Sequence, residues 1–189
     1  MAKYTVIFDA CVLYPAPLRD LLVQLATAGL FRAKWSEKIQ DEWTSNLLAN
    51  RKDLKPDDIK RTVSLLNAAV PDCLVTGYEH LIPTITIPDA NDRHVVAAAI
   101  HARADGIVTF NLDDFSDEAL SVYNMESIHP DDFILAQTDL NEAAVVMAAQ
   151  KVRARLKAPP VTVFEYLNNL HLQQLPKTVA WLGQYAGVL

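Results

Sequence analysis

Short apolar runs alternating with amphipathic segments mark this chain of 189 residues as an α/β protein with a mostly parallel central sheet. Two runs, Tyr4–Phe8 (YTVIF) and Gly106–Phe110 (GIVTF), are β-branched, aromatic and short, as strands buried on both faces are. Between them, apolar residues recur at helical spacing. Hydrophobic residues make up 51% of the chain, enough for a sizeable core and too many for a disordered polymer.

Taken in order, Tyr4–Phe8 forms the first strand and ends at Asp9. Pro15 and Pro17 introduce a helix over Leu18–Ala28, with Leu21, Leu22 and Leu25 on one side and Gly29 just past its end. Leu30–Lys34 is a short strand or a linker. Ser36 caps a helix to about Ala49, in which Ile39, Trp43 and Leu47 repeat every four residues. Pro56 opens a helix to about Ala69, and Cys73–Thr76 fits a strand. Asp89 caps a helix over Ala90–Arg103 that leads into the Gly106–Phe110 strand. Met125–Ile128 is the last strand, and a helix follows from Pro130.

The remainder is all helical. Asn141–Lys157 is one helix, broken by Pro159–Pro160; Thr162-x-x-Glu165 is a capping-box pattern, and Pro176 opens a last helix. The expected organisation is an α/β domain over residues 1–138 and a helical extension over 139–189, too thin to fold alone.

Charge and cysteines narrow the function. The formal net charge is −6, divided as −8 over residues 1–138 and +2 over 139–189. Such a body does not hold nucleic acid by bulk charge. Two cysteines without a CxxC make no disulfide framework, so a reducing cytoplasm is expected. No apolar run nears the roughly 18 residues that cross a bilayer, and Val6–Phe8 is too short for a secretory signal, so no membrane partner is expected.

Open parallel sheets bind ligands beyond the carboxyl ends of their strands. Asp9 ends one strand, Asp113 and Asp114 closely follow another, and Asp92 opens the helix leading into it. Glu42, between Ile39 and Trp43, borders a buried helix face. Carboxylates gathered at one edge repel each other, and a divalent cation relieves the conflict. Oxygen donors without obligatory Cys or His suit Mg²⁺ or Mn²⁺ better than Zn²⁺. Metal-assisted hydrolysis of a phosphodiester is the chemistry such a set supports.

Four segments, VIFDACVLYP, WSEKIQDEW, PDANDRHVVAAAI and VTFNLDDF, occur in an order that resembles the PIN-domain ribonucleases, and among them the VapC-type toxins of toxin–antitoxin modules. The resemblance covers roughly residues 3–130. It implies a PIN-like three-layer α/β/α domain, and the helical tail resembles the extension of a larger subgroup. It places the family's four acids on Asp9, Glu42, Asp92 and Asp114, with Asp114 favoured over Asp113, and implies that they hold Mg²⁺ or Mn²⁺ while water attacks an RNA phosphate. Asn111 and Thr109 fall on the family's Thr-x-Asn element, so Thr109, Asn111, Asp113 and Cys11 are the supporting positions. Cys11 departs from the Ser, Thr or Asn often found there and is a poorer hydrogen-bonding group. An antitoxin placing a basic side chain in the acidic pocket and a homodimer are further implications.

Other side chains have plainer readings. Asp89 is a helix cap rather than a ligand, and His94 and His101 are partly exposed surface groups. Arg93 is a surface arginine or a phosphate contact. Lys151, Arg153, Arg155 and Lys157 form a solvated face, with RNA contact as the alternative, and Cys73 is a small core residue. The rival functions are an RNA-processing PIN nuclease, a non-catalytic PIN-like binding module, and a haloacid-dehalogenase-type phosphatase. The last needs an acid where Cys11 stands.

Overall fold

The computed structural model describes residues 3–189. Its centre is a five-stranded sheet of β1 (Thr5–Phe8), β2 (Arg32–Ser36), β3 (Leu74–Val75), β4 (Gly106–Val108) and β5 (Glu126–Ile128). All pairings are parallel, in the order β3-β2-β1-β4-β5. The apolar run of β1 makes it the central strand, with Val6 opposite Ala33 on one side and Gly106 on the other. At Gly106 a Cβ would sit 3.1 Å from the Glu126 carbonyl oxygen, so the absence of a side chain lets β5 approach closely.

Around the sheet lie α1 (Ala10–Leu13), α2 (Ala16–Thr27), α3 (Glu37–Asn50), α4 (Pro56–Ala69), α5 (Arg93–Ala102) and α6 (Asp117–Ser121). The chain moves outward from β1 to β3, then crosses back to β4 and β5. Right-handed crossovers therefore put α1 to α4 on one face and α5 and α6 on the other, giving three layers. The direction reverses beside β1, and the crevice between the ends of β1 and β4 is where such sheets bind ligands.

The caps are largely those the side chains dictate. Ser36 Oγ accepts from the Ile39 N–H at 3.2 Å, and Gly29, at φ +80°, turns the chain after α2. The expected helix over Ala90–Arg103 is divided: Ala90–Asp92 is a 3₁₀ turn, and the α-helix starts at Arg93. Asp89 accepts from the Asn91 N–H at 2.8 Å, which tightens that first turn. The strand expected to reach Phe110 stops at Val108, and the next residue, Thr109, donates its hydroxyl to Asp9. The helices α1 and α6 and a 3₁₀ segment, Glu79–Thr84, are too short to show a period in sequence.

The chain continues through α7 (Pro130–Arg155), α8 (Val163–Leu172) and α9 (Pro176–Gly183). Asn141 kinks α7 with an extended backbone (φ −163°), and its side chain accepts from the Ala144 N–H at 3.0 Å, capping the second half. Thr162 and Glu165 form the expected capping box. These helices pack on α2 and on each other, and Val145, Ala149, Val152, Tyr166, Leu170 and Leu182 belong to the same core as Phe8 and Leu22. The Asp131 carboxylate, 2% exposed, accepts from the Lys177 and Thr178 N–H groups, both at 2.8 Å, and fixes the start of α9.

The reading of Lys151, Arg153, Arg155 and Lys157 as one solvated face is corrected at Arg153, which is half-buried. Arg153 donates to the carbonyls of Leu189 (2.9 Å) and Val161 (2.8 Å), and Arg155 donates to Gln24 at 2.6 Å. Arg153 braces the tail, while Arg155 is exposed like Lys151 and Lys157 although its guanidinium reaches α2. Cys73 is buried, as expected. Among the described residues, no helix is long and apolar enough to cross a membrane.

Candidate active site

A cleft of about 420 Å³ opens where β1 and β4 end. Asp9, Glu42, Asp92 and Asn111 line it, so four segments far apart in sequence contribute. Tyr14, Trp43, Asn46 and Asn50 complete its other wall, and Cys11 lies at its base.

Asp9 is 5% exposed and its carboxylate is firmly held. Oδ1 accepts from the Ala10 N–H at 2.6 Å. Oδ2 accepts from the Thr109 hydroxyl at 2.7 Å and the Cys11 thiol at 3.0 Å. The Asn111 N–H donates to Thr109 Oγ1 at 3.0 Å, which leaves the hydroxyl hydrogen for Asp9. Cys11 therefore does reach the acid, and its sulfur also accepts from the Phe110 N–H at 3.3 Å. Burial first, and then the Asp9 charge, push the Cys11 thiol up to about 12, so it is a protonated donor rather than a nucleophile. With Cys73 buried, native protein at neutral pH should resist alkylation by iodoacetamide, and both thiols should react after unfolding in guanidinium. Rapid labelling of Cys11 in the native state, read by mass spectrometry, would contradict this.

Asp92 carries the strain of the acidic cluster. Its carboxyl is raised to about 6, first by partial burial and then by the charges of Asp9, Asp89 and Asp114. Asp114 is partly buried and acts on Asp92, although it does not line the cleft; Asp113 is exposed and is not among the groups that shift Asp92. Arg93 is partly buried beside Asp92 and outside the cleft lining, with no acceptor for its Nε among the described residues.

His94 corrects the expectation of a partly exposed surface group, because its side chain is fully buried. Its Nε2 lies 2.8 Å from Glu42 Oε1. The approach is off the direction of a ring N–H, and neither ring nitrogen makes a hydrogen bond among the described residues. Contact by charge and packing is therefore the better description of the pair than a formed hydrogen bond. Sequence spacing could not reveal this, since His94 and His101 seven residues apart look alike and only the fold turns one toward α3.

Among the described residues, no three His, Cys, Asp or Glu side chains converge closely enough to ligate one ion as they stand. The donor chemistry nonetheless fits a hard divalent cation. The cleft is lined by the carboxylates of Asp9, Glu42 and Asp92 and the amides of Asn46, Asn50 and Asn111, with no Lys or Arg.

Comparison with known proteins agrees with this architecture. The PIN domain family matches residues 5–113, and the family described as VapC50 C-terminal domain matches residues 130–184. A curated protein of Mycobacterium tuberculosis (strain ATCC 25618 / H37Rv), "Putative ribonuclease VapC50", is 38% identical over 121 residues, covering 62% of this chain and 70% of that protein. No solved structure matches the chain.

Proposed function

The chain belongs to the PIN-domain family, and from that membership we propose that it is a divalent-metal-dependent endoribonuclease, the toxin of a type II toxin–antitoxin module. The observation that carries the reading is that Asp9, Glu42 and Asp92, from three separate segments, line one cleft with no Lys or Arg. Asp9, Glu42, Asp92 and Asp114 would hold Mg²⁺ or Mn²⁺. The ion supplies, when bound, a water acidified to a nucleophile and a counter-charge for the phosphate.

The chain's own residues have distinct parts in this proposal. Thr109 and Cys11 fix Asp9 Oδ2, so the carboxylate cannot swing away from the cleft. Asp114, near enough for its charge to act on Asp92, would reach the cation from the edge of the cleft. The Asn111 amide, on the facing loop, offers a neutral donor to a phosphate oxygen without competing with the cation. Arg93 stays a candidate phosphate contact only if its side chain turns outward.

The toxin role draws support from the VapC50 C-terminal match and from the acidic body, which suits a basic segment of an antitoxin. A cytoplasmic location and a homodimer belong to the same proposal, as does a domain division near residue 138. An open reading frame for a small DNA-binding protein beside the gene would favour a toxin over an RNA-processing nuclease. The direct test is cleavage of tRNA, rRNA and mRNA by purified protein with Mg²⁺ or Mn²⁺. Cutting should stop with EDTA and in Asp9→Asn; cutting that persists in both would overturn the mechanism.

A further inference from the structure

One wall of the cleft carries amides and aromatic rings in place of carboxylates. On α3 the residues Glu42, Asn46 and Asn50 stand at successive i, i+4 positions, so one stripe passes from an acid to two amides. Tyr14, just past α1, faces the same space, and Asn50 Nδ2 donates to its hydroxyl at 3.2 Å. That bond ties the phenol to α3 and restricts the ring. Beneath them Trp43 is fully buried, and its indole N–H has no acceptor among the described residues. Arg19 covers the indole ring, its guanidinium carbon 4.7 Å from the ring centroid, and the same guanidinium donates to the Leu13 carbonyl at 2.7 Å, so the floor is rigid.

The chemistry of this wall is neutral, planar and two-handed. Each amide offers a donor and an acceptor, and the phenol offers a flat face with a polar edge. A bare phosphate would call for cations, and no Lys or Arg lines the cleft. A flat heterocycle with alternating donors and acceptors suits it, and unpaired bases in single-stranded RNA are read in this way, by stacking on aromatic rings and by hydrogen bonds to base edges. The acids and the amides share one cleft, so a base bound at the amides sits beside a phosphate at the acids.

We propose that Tyr14, Asn46 and Asn50 form a nucleobase subsite for the nucleotide adjoining the scissile phosphate of a single-stranded RNA. The subsite rests on the ribonuclease reading of the same cleft. It makes these three side chains determinants of where the enzyme cuts, while the acids determine whether it cuts. The plainer alternative, solvated polar residues at the end of a helix, predicts no dependence on the base.

The test compares Asn46→Ala, Asn50→Ala and Tyr14→Ala with Ser45→Ala, an exposed control on α3 outside the cleft. Short oligo-A, oligo-U, oligo-C and oligo-G RNAs are bound in Ca²⁺ by fluorescence anisotropy, and cleavage sites in mixed-sequence RNA are mapped in Mg²⁺. Losing one stacked or hydrogen-bonded base should weaken binding about tenfold and raise KM in step, with kcat within about twofold. Base preference at one position beside the cut should flatten, while Mn²⁺ affinity, read by electron paramagnetic resonance, stays unchanged. Variants that bind and cut with the wild-type preference would overturn the subsite, and so would a parallel loss of Mn²⁺ affinity. If the wild type cuts no RNA the nuclease reading fails by itself. The binding measurements then decide the subsite: base-selective binding lost in the variants upholds it, and base-independent binding or none removes it.

Discussion

Asp92→Asn loses RNA cleavage by about a hundredfold or more and, without metal, melts at a higher temperature than the wild type near neutral pH. The two changes share a cause. The Asp92 carboxyl is raised from 3.8 to about 6 by burial and by three neighbouring acids. A folded-state value above the unfolded one means that the native protein binds the extra proton between these limits. Its contribution to stability is present below 3.8 and is lost as pH rises through about 6. Above that value the native state carries an uncompensated charge, which the amide removes. Allowing for the group's substantial exposure and for screening by solvent, the gain is about 1 kcal/mol. Wild type should therefore gain more from acidification between about pH 7.5 and pH 5 than the variant does. Mn²⁺ should raise the melting temperature of the wild type and leave the variant nearly unmoved. Equal pH slopes in the two proteins, measured by differential scanning fluorimetry, would dismiss the crowding. Full activity in the variant would dismiss Asp92 as a ligand.

A chain cut after Thr138 should not fold to a soluble monomer. The tail places Val145, Val152, Tyr166, Leu170 and Leu182 in the common core, and its helices pack on α2. Each fully buried side chain of this size contributes about 1.5–3 kcal/mol. Together they amount to about 7–15 kcal/mol, as much as the roughly 5–15 kcal/mol that separates a folded domain from its unfolded chain. The cut also removes α9 and strands Asp131, a buried carboxylate whose two partners are N–H groups of that helix. The fragment should bind anilinonaphthalene sulfonate strongly and lack a cooperative thermal transition. A monomeric fragment with a sharp transition would show that 139–189 is a separable unit.

What the sequence could disclose follows from the range of each interaction. Strands β1 and β4 were legible because a buried parallel strand is a continuous apolar run, and Asp9 was legible because it ends one. Ser36 and Thr162 were legible because capping needs partners only two or three residues away. The acids Asp9, Glu42 and Asp92 could be expected in one cleft from topology and the PIN resemblance together, and the structure places all three there. Arg153 was misread because its partners, the Val161 and Leu189 carbonyls, reach it only once the tail folds back, and nothing local distinguishes a bracing arginine from a solvated one. His94 was misread for the same reason: its environment is Glu42, on another helix. The amides of α3 drew no attention, since Asn46 and Asn50 gain meaning only once Tyr14 faces them across a cleft.

The order of the strands also governs how the cleft is assembled. The central strand β1 has its partner β4 100 residues further along the chain, where Val6 meets Gly106 and Thr109 finds Asp9. Closing so long a loop comes late in folding. Until that pairing forms, Asp9 lacks the Thr109 hydroxyl that holds its Oδ2, so the cleft is a product of the longest-range closure in the sheet and not of any one segment.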